Sequence, residues 1–266
     1  MPIGTHIDRA LTRVEQEQTH FDAERRAYER FQSGVASLSP QPATALSTSS
    51  SAVGGTLSAA GGSQRDSATT DADRVRELFT ETVRPHSVAD IDGEEPLLET
   101  IREELGDSLA FVLAPETDAD VTSQVQSAIC SKTQQRLREL NATSGALDRE
   151  AESLKTAAHD CQTVTEWVED HNETSLLQLG FSHLRRRHEQ LSIHRERCDD
   201  RLRVRQETVQ ATMSQGGKTG IEHRSLVIYL YQDFPVSYPV LSTITRLDAL
   251  LADCQRSVRD HLTQRV

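Results

Sequence analysis

Aromatic residues are scarce in this chain, and lysine is nearly absent. Phe, Trp and Tyr make up 4% of the 266 residues, and hydrophobic residues of all kinds make up 36%. That is below the roughly 45–50% of an ordinary globular domain. So little apolar volume cannot fill the thick core of a compact α/β enzyme; long helices with one apolar stripe need less. Lysine occurs only at 132, 155 and 218, and the other 26 of the 29 basic residues are arginine. The 41 acidic residues bring the formal net charge to −12, which disfavours a whole-protein nucleic-acid binder, whose surface would be basic. Abundant carboxylate and almost no lysine point to the cytosol of an extreme halophile. There an acidic surface holds water, and molar salt screens its self-repulsion.

Other absences narrow the classes further. The four cysteines (Cys130, Cys161, Cys198, Cys254) are far apart and form no CxxC, so a zinc ribbon and a thioredoxin motif are both excluded. They read as small buried residues in a reducing compartment. The opening stretch MPIGTHIDRALTRVEQ has no apolar signal-peptide core. The longest apolar runs, LAFVLA (109–114) and LVIYLY (226–231), are too short to span a bilayer. A cytoplasmic protein without a membrane segment is expected.

What the chain does contain is helical periodicity. Over 1–38, Thr5 and Asp8 suggest a capping box, and Ile7, Val14, Phe21, Tyr28 and Val35 recur every seven residues. Pro40 and Pro42 end that helix, and a Ser/Thr/Gly/Ala-rich stretch over 39–72 reads as a disordered, flexible linker. Two short helices are expected within 73–115: one over 73–84 up to Pro85, one over 95–114 between Pro96 and Pro115. The longest pattern covers 118–214. Leu140, Leu147, Leu154, Cys161 and Val168 repeat at seven, then Leu177, Leu184, Leu191 and Cys198 do the same. The polar EDHNETS (169–175) between them predicts a turn, so the two halves fold back as an antiparallel coiled-coil hairpin. Nine acids stand in 139–173, and eight arginines in 183–205; opposite charge on facing helices selects the partner and its direction.

The arginine run HLRRRHEQLSIHRERCDDRLRVR (183–205) also suits phosphate contacts, through Arg185, Arg186, Arg187, Arg195 and Arg197 with His183, His188 and His194 beside them. No aromatic side chain interleaves it, and an acidic partner helix explains it as well. His194 and Cys198 share a helix face, but HEQLSIH is not HExxH and no second pair accompanies it, so no metal is expected. Gly217-Lys218-Thr219 lacks the earlier glycine of a phosphate loop, since position 212 is threonine; a glycine helix stop is the better reading. No nucleophile motif occurs, and the sequons at 141–143 and 172–175 have no export signal to give them meaning. No cofactor and no small-molecule substrate is identified.

The aromatics that exist are concentrated. LVIYLYQDFPVSYPVL (226–241) holds three of the four tyrosines, Tyr229, Tyr231 and Tyr238, with Phe234. Pro235 and Pro239 rule out one continuous helix, so a short helix or extended piece, a turn and a final helix capped near Ser237 are expected over 221–266. Either these four rings plug the end of the bundle or they anchor a partner. The motif YLYQDFPVSYPVL and the helix after it resemble an uncharacterised family of haloarchaeal proteins thought to be largely helical. The resemblance implies a halophilic source and supplies no activity to transfer. The sequence thus predicts an all-α, elongated bundle around the hairpin. It predicts a non-enzymatic interaction or scaffold protein with a protein partner or self-association, the alternative being a nucleic-acid-associated regulator using 183–205.

Overall fold

The computed structural model describes residues 5–39, 70–87, 95–117, 120–215 and 223–264. Among them lie eight α-helices and no strand: α1 (Thr5–Ser37), α2 (Asp71–Thr82), α3 (Leu97–Leu105), α4 (Asp107–Val112), α5 (Ser123–Asn172), α6 (Phe181–Gln215), α7 (His223–Tyr231) and α8 (Pro239–Thr263). The protein is all-α. Most of the linker and the Gly217-Lys218-Thr219 loop lie outside the described residues.

The chain divides into two compact units, Met1–Phe21 with Asn141–Val266, and Asp22–Leu140. The long helices α1 and α5 each contribute to both.

In the first unit, α5 and α6 form the expected antiparallel hairpin. Glu150 meets Arg205, Asp160 meets Arg201, Trp167 meets His194 and His171 meets Arg187, one number falling as the other rises. The same test makes α8 antiparallel to α6, through Arg195–Asp248 and Ser192–Gln255. It also runs the segment from Tyr229 to Phe234 antiparallel to the start of α1, through Tyr229–Glu17 and the Arg9 guanidinium over Phe234. Ile7, Val14, Leu147, Leu154, Leu184, Leu191, Ile244 and Leu251 share one core. Each such side chain, fully buried, is worth roughly 1.5–3 kcal/mol.

In the second unit, the rest of α1 lies antiparallel to the start of α5, with Glu24 against Arg136. The Gln126 side-chain amide donates to the Val35 and Leu38 carbonyls, satisfying the end of α1. Phe31 meets Phe79 of α2 edge-to-face at 5.6 Å. A Cβ at Gly34 would stand 2.9 Å from the Leu78 methyls, so glycine permits this close approach of α1 and α2. Thr70 caps α2: its Oγ1 accepts from the Asp73 N–H, and the Asp73 carboxylate accepts from the Thr70 N–H.

Three local expectations change. The helix expected over 95–114 is two helices, because Gly106 takes φ +96° and breaks the ladder between α3 and α4. Leu177, placed on the second hairpin stripe, lies outside α6 and is 72% exposed. Ser175 caps a one-turn 3-10 segment at Leu176–Gln178, so α6 starts only at Phe181. The cap of α8 is Tyr238 rather than Ser237, with Pro239 in the first turn supplying a fixed φ in place of a side-chain cap.

Candidate functional site

The seven-residue repeats place polar groups where a core is being built. On α5, the row three residues after the leucine row runs Ile129, Arg136, Thr143, Glu150, Ala157 and Val164. All but Arg136 are buried. On α6 the row Leu184, Leu191, Cys198 continues to Arg205, also buried. The antiparallel register sets Glu150 against Arg205. The guanidinium grips the carboxylate with two N–H donors at 2.7 and 2.8 Å and gives a further bond to Ser153 Oγ at 3.0 Å. From α7, the Tyr231 hydroxyl donates to the same carboxylate at 2.6 Å.

All three principal side chains are 2% exposed or less. Burial first, and the Glu150 charge second, push the Tyr231 hydroxyl far above its ordinary value, so it stays a donor. Charge is balanced inside the cluster. Such a buried cluster fixes how α5, α6 and α7 meet.

The four aromatic candidates therefore separate. Tyr231 is a buried cross-brace, and Phe234, 5.3 Å from its ring, packs on the same core together with Tyr238. Tyr229 is 45% exposed beside Ile228, its hydroxyl 3.3 Å from Glu17 and its ring beneath Arg13. The arginine candidates separate too. Arg195 forks onto Asp248 of α8, Arg185 pairs with Glu189 on its own helix, and Arg187 donates to the His171 carbonyl at the end of α5. Arg186 and Arg197 are exposed. The acidic partner of α6 is thus partly α5, through Glu150 and Asp160, and partly α8.

Reading the sequence for stripes missed Glu150, Arg205, Trp167 and His171. The signal was present: Glu150 and His171 both fall on the second row of the α5 repeat, and Arg205 on the first row of α6. Trp167 and His171 stack at 4.1 Å, and His194 leans on the indole at 4.7 Å. Burial, then Arg197 and His171, depress the His194 pKa, and neither ring nitrogen has a partner among the described residues. Among those residues no three His, Cys, Asp or Glu side chains converge as metal ligands, and no helix is long and apolar enough to cross a membrane.

A family model described as a domain of unknown function, DUF7260, matches residues 5–255. No curated protein and no solved structure matches the chain.

Proposed function

The chain belongs to the DUF7260 family, and we propose that it is a non-enzymatic helical interaction or scaffold protein in the cytoplasm of a halophilic archaeon. One observation carries this reading: α6 leaves two large apolar side chains in solvent on one bearing, away from the line it buries. Ile193 and Val204, three turns apart and so on nearly the same bearing, are 40% and 43% exposed. Exposed Arg197 and Asp200 lie between them. A helix that already buries Leu184, Leu191 and Cys198 gains nothing in its own fold from a solvent-facing isoleucine and valine. A partner helix would cover them, and the flanking charges would set its direction. Ile228 and Tyr229 on α7 offer a smaller apolar pair. The acid-rich, lysine-poor surface supports the halophilic setting.

The test is light scattering on the eluting protein in molar potassium chloride, with absorbance read for bound nucleic acid, followed by capture with wild type and with Ile193→Glu/Val204→Glu as bait. The reading expects self-association, or one protein held by wild type and released by the variant, with helical content unchanged. A monomer that holds nothing, or a species rich in nucleic acid released by Arg186→Gln/Arg197→Gln, overturns it.

A further inference from the structure

A second surface, independent of the Ile193–Val204 line, lies at the closed end of the hairpin. There α5, the 176–178 turn, α6 and α8 leave a pocket of about 330 Å³, at the small end of the roughly 300–1,000 Å³ range of ligand sites. We infer that this pocket binds a small organic carboxylate with a flat apolar body.

Three features carry the inference. One wall is flat and aromatic, built from the stacked rings of Trp167 and His171. Leu191, Leu250 and Val258 supply apolar surface from α6 and α8. Leu250, 40% exposed, keeps one side open to solvent. The lining also contains a single arginine and no Asp or Glu, in a protein with 41 acidic residues.

That arginine is Arg187, which is half-buried. One of its N–H groups goes to the His171 carbonyl, and it makes no ion pair among the described residues. Its other donors form a planar fork, the shape that takes a carboxylate by two parallel bonds. Every other buried or half-buried arginine on α6 (Arg195, Arg201 and Arg205) meets an acid of the protein. Arg187 alone among them faces a cleft in place of an acid. Burial lowers the Arg187 pKa, but a guanidinium is not deprotonated inside a protein, so the fork stays charged.

Trp167 is the only tryptophan of the chain, so its emission reads the pocket directly. The probes are phenylpropionate and its uncharged amide, titrated into the full chain in molar potassium chloride. The expected result is a saturable change in Trp167 emission with the acid, and affinity about tenfold weaker for the amide. Arg187→Gln brings the acid down to the level of the amide. Leu250→Glu takes apolar wall from both probes and sets a like charge against the acid alone, so it weakens the acid more than the amide. No saturable change, equal affinity for acid and amide in wild type, or an acid affinity that Leu250→Glu does not alter each overturns the inference.

Discussion

The two units of this protein meet the same problem, an arginine, carboxylates and a tyrosine brought into a thin helical core, and solve it differently. In the unit built on α6, α7 and α8, one carboxylate, Glu150, takes both the Arg205 fork and the Tyr231 hydroxyl. In the unit built on α2, α3 and α4, the partners are spread out. Tyr28 donates to Glu104 at 2.5 Å, Arg136 bonds Glu24 at 2.9 Å, and Glu139 lies 3.6 Å from the same guanidinium. The Arg136 side chain is 36% exposed, whereas that of Arg205 is 2% exposed. In the first cluster water reaches neither charge; in the second it reaches Arg136, while the Glu24 side chain is 6% exposed. The closed cluster therefore tolerates no single deletion, while the open one tolerates loss of the acid.

The largest effect expected follows from that difference. Arg205→Met strands a buried Glu150 and should cost about 3–5 kcal/mol, whereas Arg205→Met/Glu150→Leu, which removes both charges, should recover most of the loss. Urea unfolding at fixed potassium chloride measures both. A double variant as unstable as the single one would mean that the cluster is held by more than charge. Next, Tyr231→Phe removes a hydrogen bond to a buried charge and should cost about 1.5–3 kcal/mol. Glu24→Leu in the open cluster should cost nearer 1 kcal/mol, since the Arg136 it leaves behind is 36% exposed and can be rehydrated. Equal costs for Arg205→Met and Glu24→Leu would erase the distinction between the units.

How much of this was legible in the sequence depends on which row is read. The row Leu140, Leu147, Leu154, Cys161 located the seam of α5 because apolar side chains recur there every seven residues. The row beside it contains Arg136, Glu150 and His171, which hydrophobic periodicity discards as surface. Yet a repeat that buries one row buries the row three residues on as well, so a charged residue there must find a partner across the seam. Applied to α1, the same rule picks out Glu17 and Glu24, on the row Ala10, Glu17, Glu24, Phe31, and both are buried. The split at Gly106 was harder to read, because the apolar spacing continues across it; only the backbone shows the positive φ. The Trp167 pocket was illegible, since it joins residues from α5, a turn, α6 and α8 that no local spacing relates.

Alkali should separate the units by a smaller margin. Burial, helped by Asp160, pushes the Cys161 thiol up to about 11. Burial, helped by Asp248 and Cys161, pushes Cys198 up to about 12. Both values lie above the 9.0 of an unburied thiol. Between those limits the unfolded chain has lost protons that the folded chain still holds, so stability present below pH 9 falls as pH rises towards 12. Cys198→Ala should flatten that fall. Cys130→Ala, at the half-buried thiol of the other unit, should flatten it less. Melting temperature against pH gives the comparison, and equal slopes for the two variants would contradict it.

The smallest effect expected is on the acid side, where the units should yield in different windows. His194 is buried against Trp167 with its pKa held below 6.5 by burial, then by Arg197 and His171. The unfolded imidazole takes up a proton near 6.5 while the folded one resists, so the stability His194 contributes above that pH is lost as pH falls through its depressed folded value. In the other unit, hydrogen bonds from the Thr70 side chain and backbone, followed by Arg76, hold Asp73 below 3.8. That contribution persists until the pH falls below this carboxylate range. Trp167 emission reports the first unit and hydrogen exchange of the α2 amides the second. Between about pH 7 and pH 5 the emission-detected melting temperature should drop and α2 protection should hold. His194→Phe, which keeps a ring against Trp167 but cannot be protonated, should abolish the drop. If the variant melts with the wild-type slope, the carboxylates of the first unit, and not His194, set its acid limit.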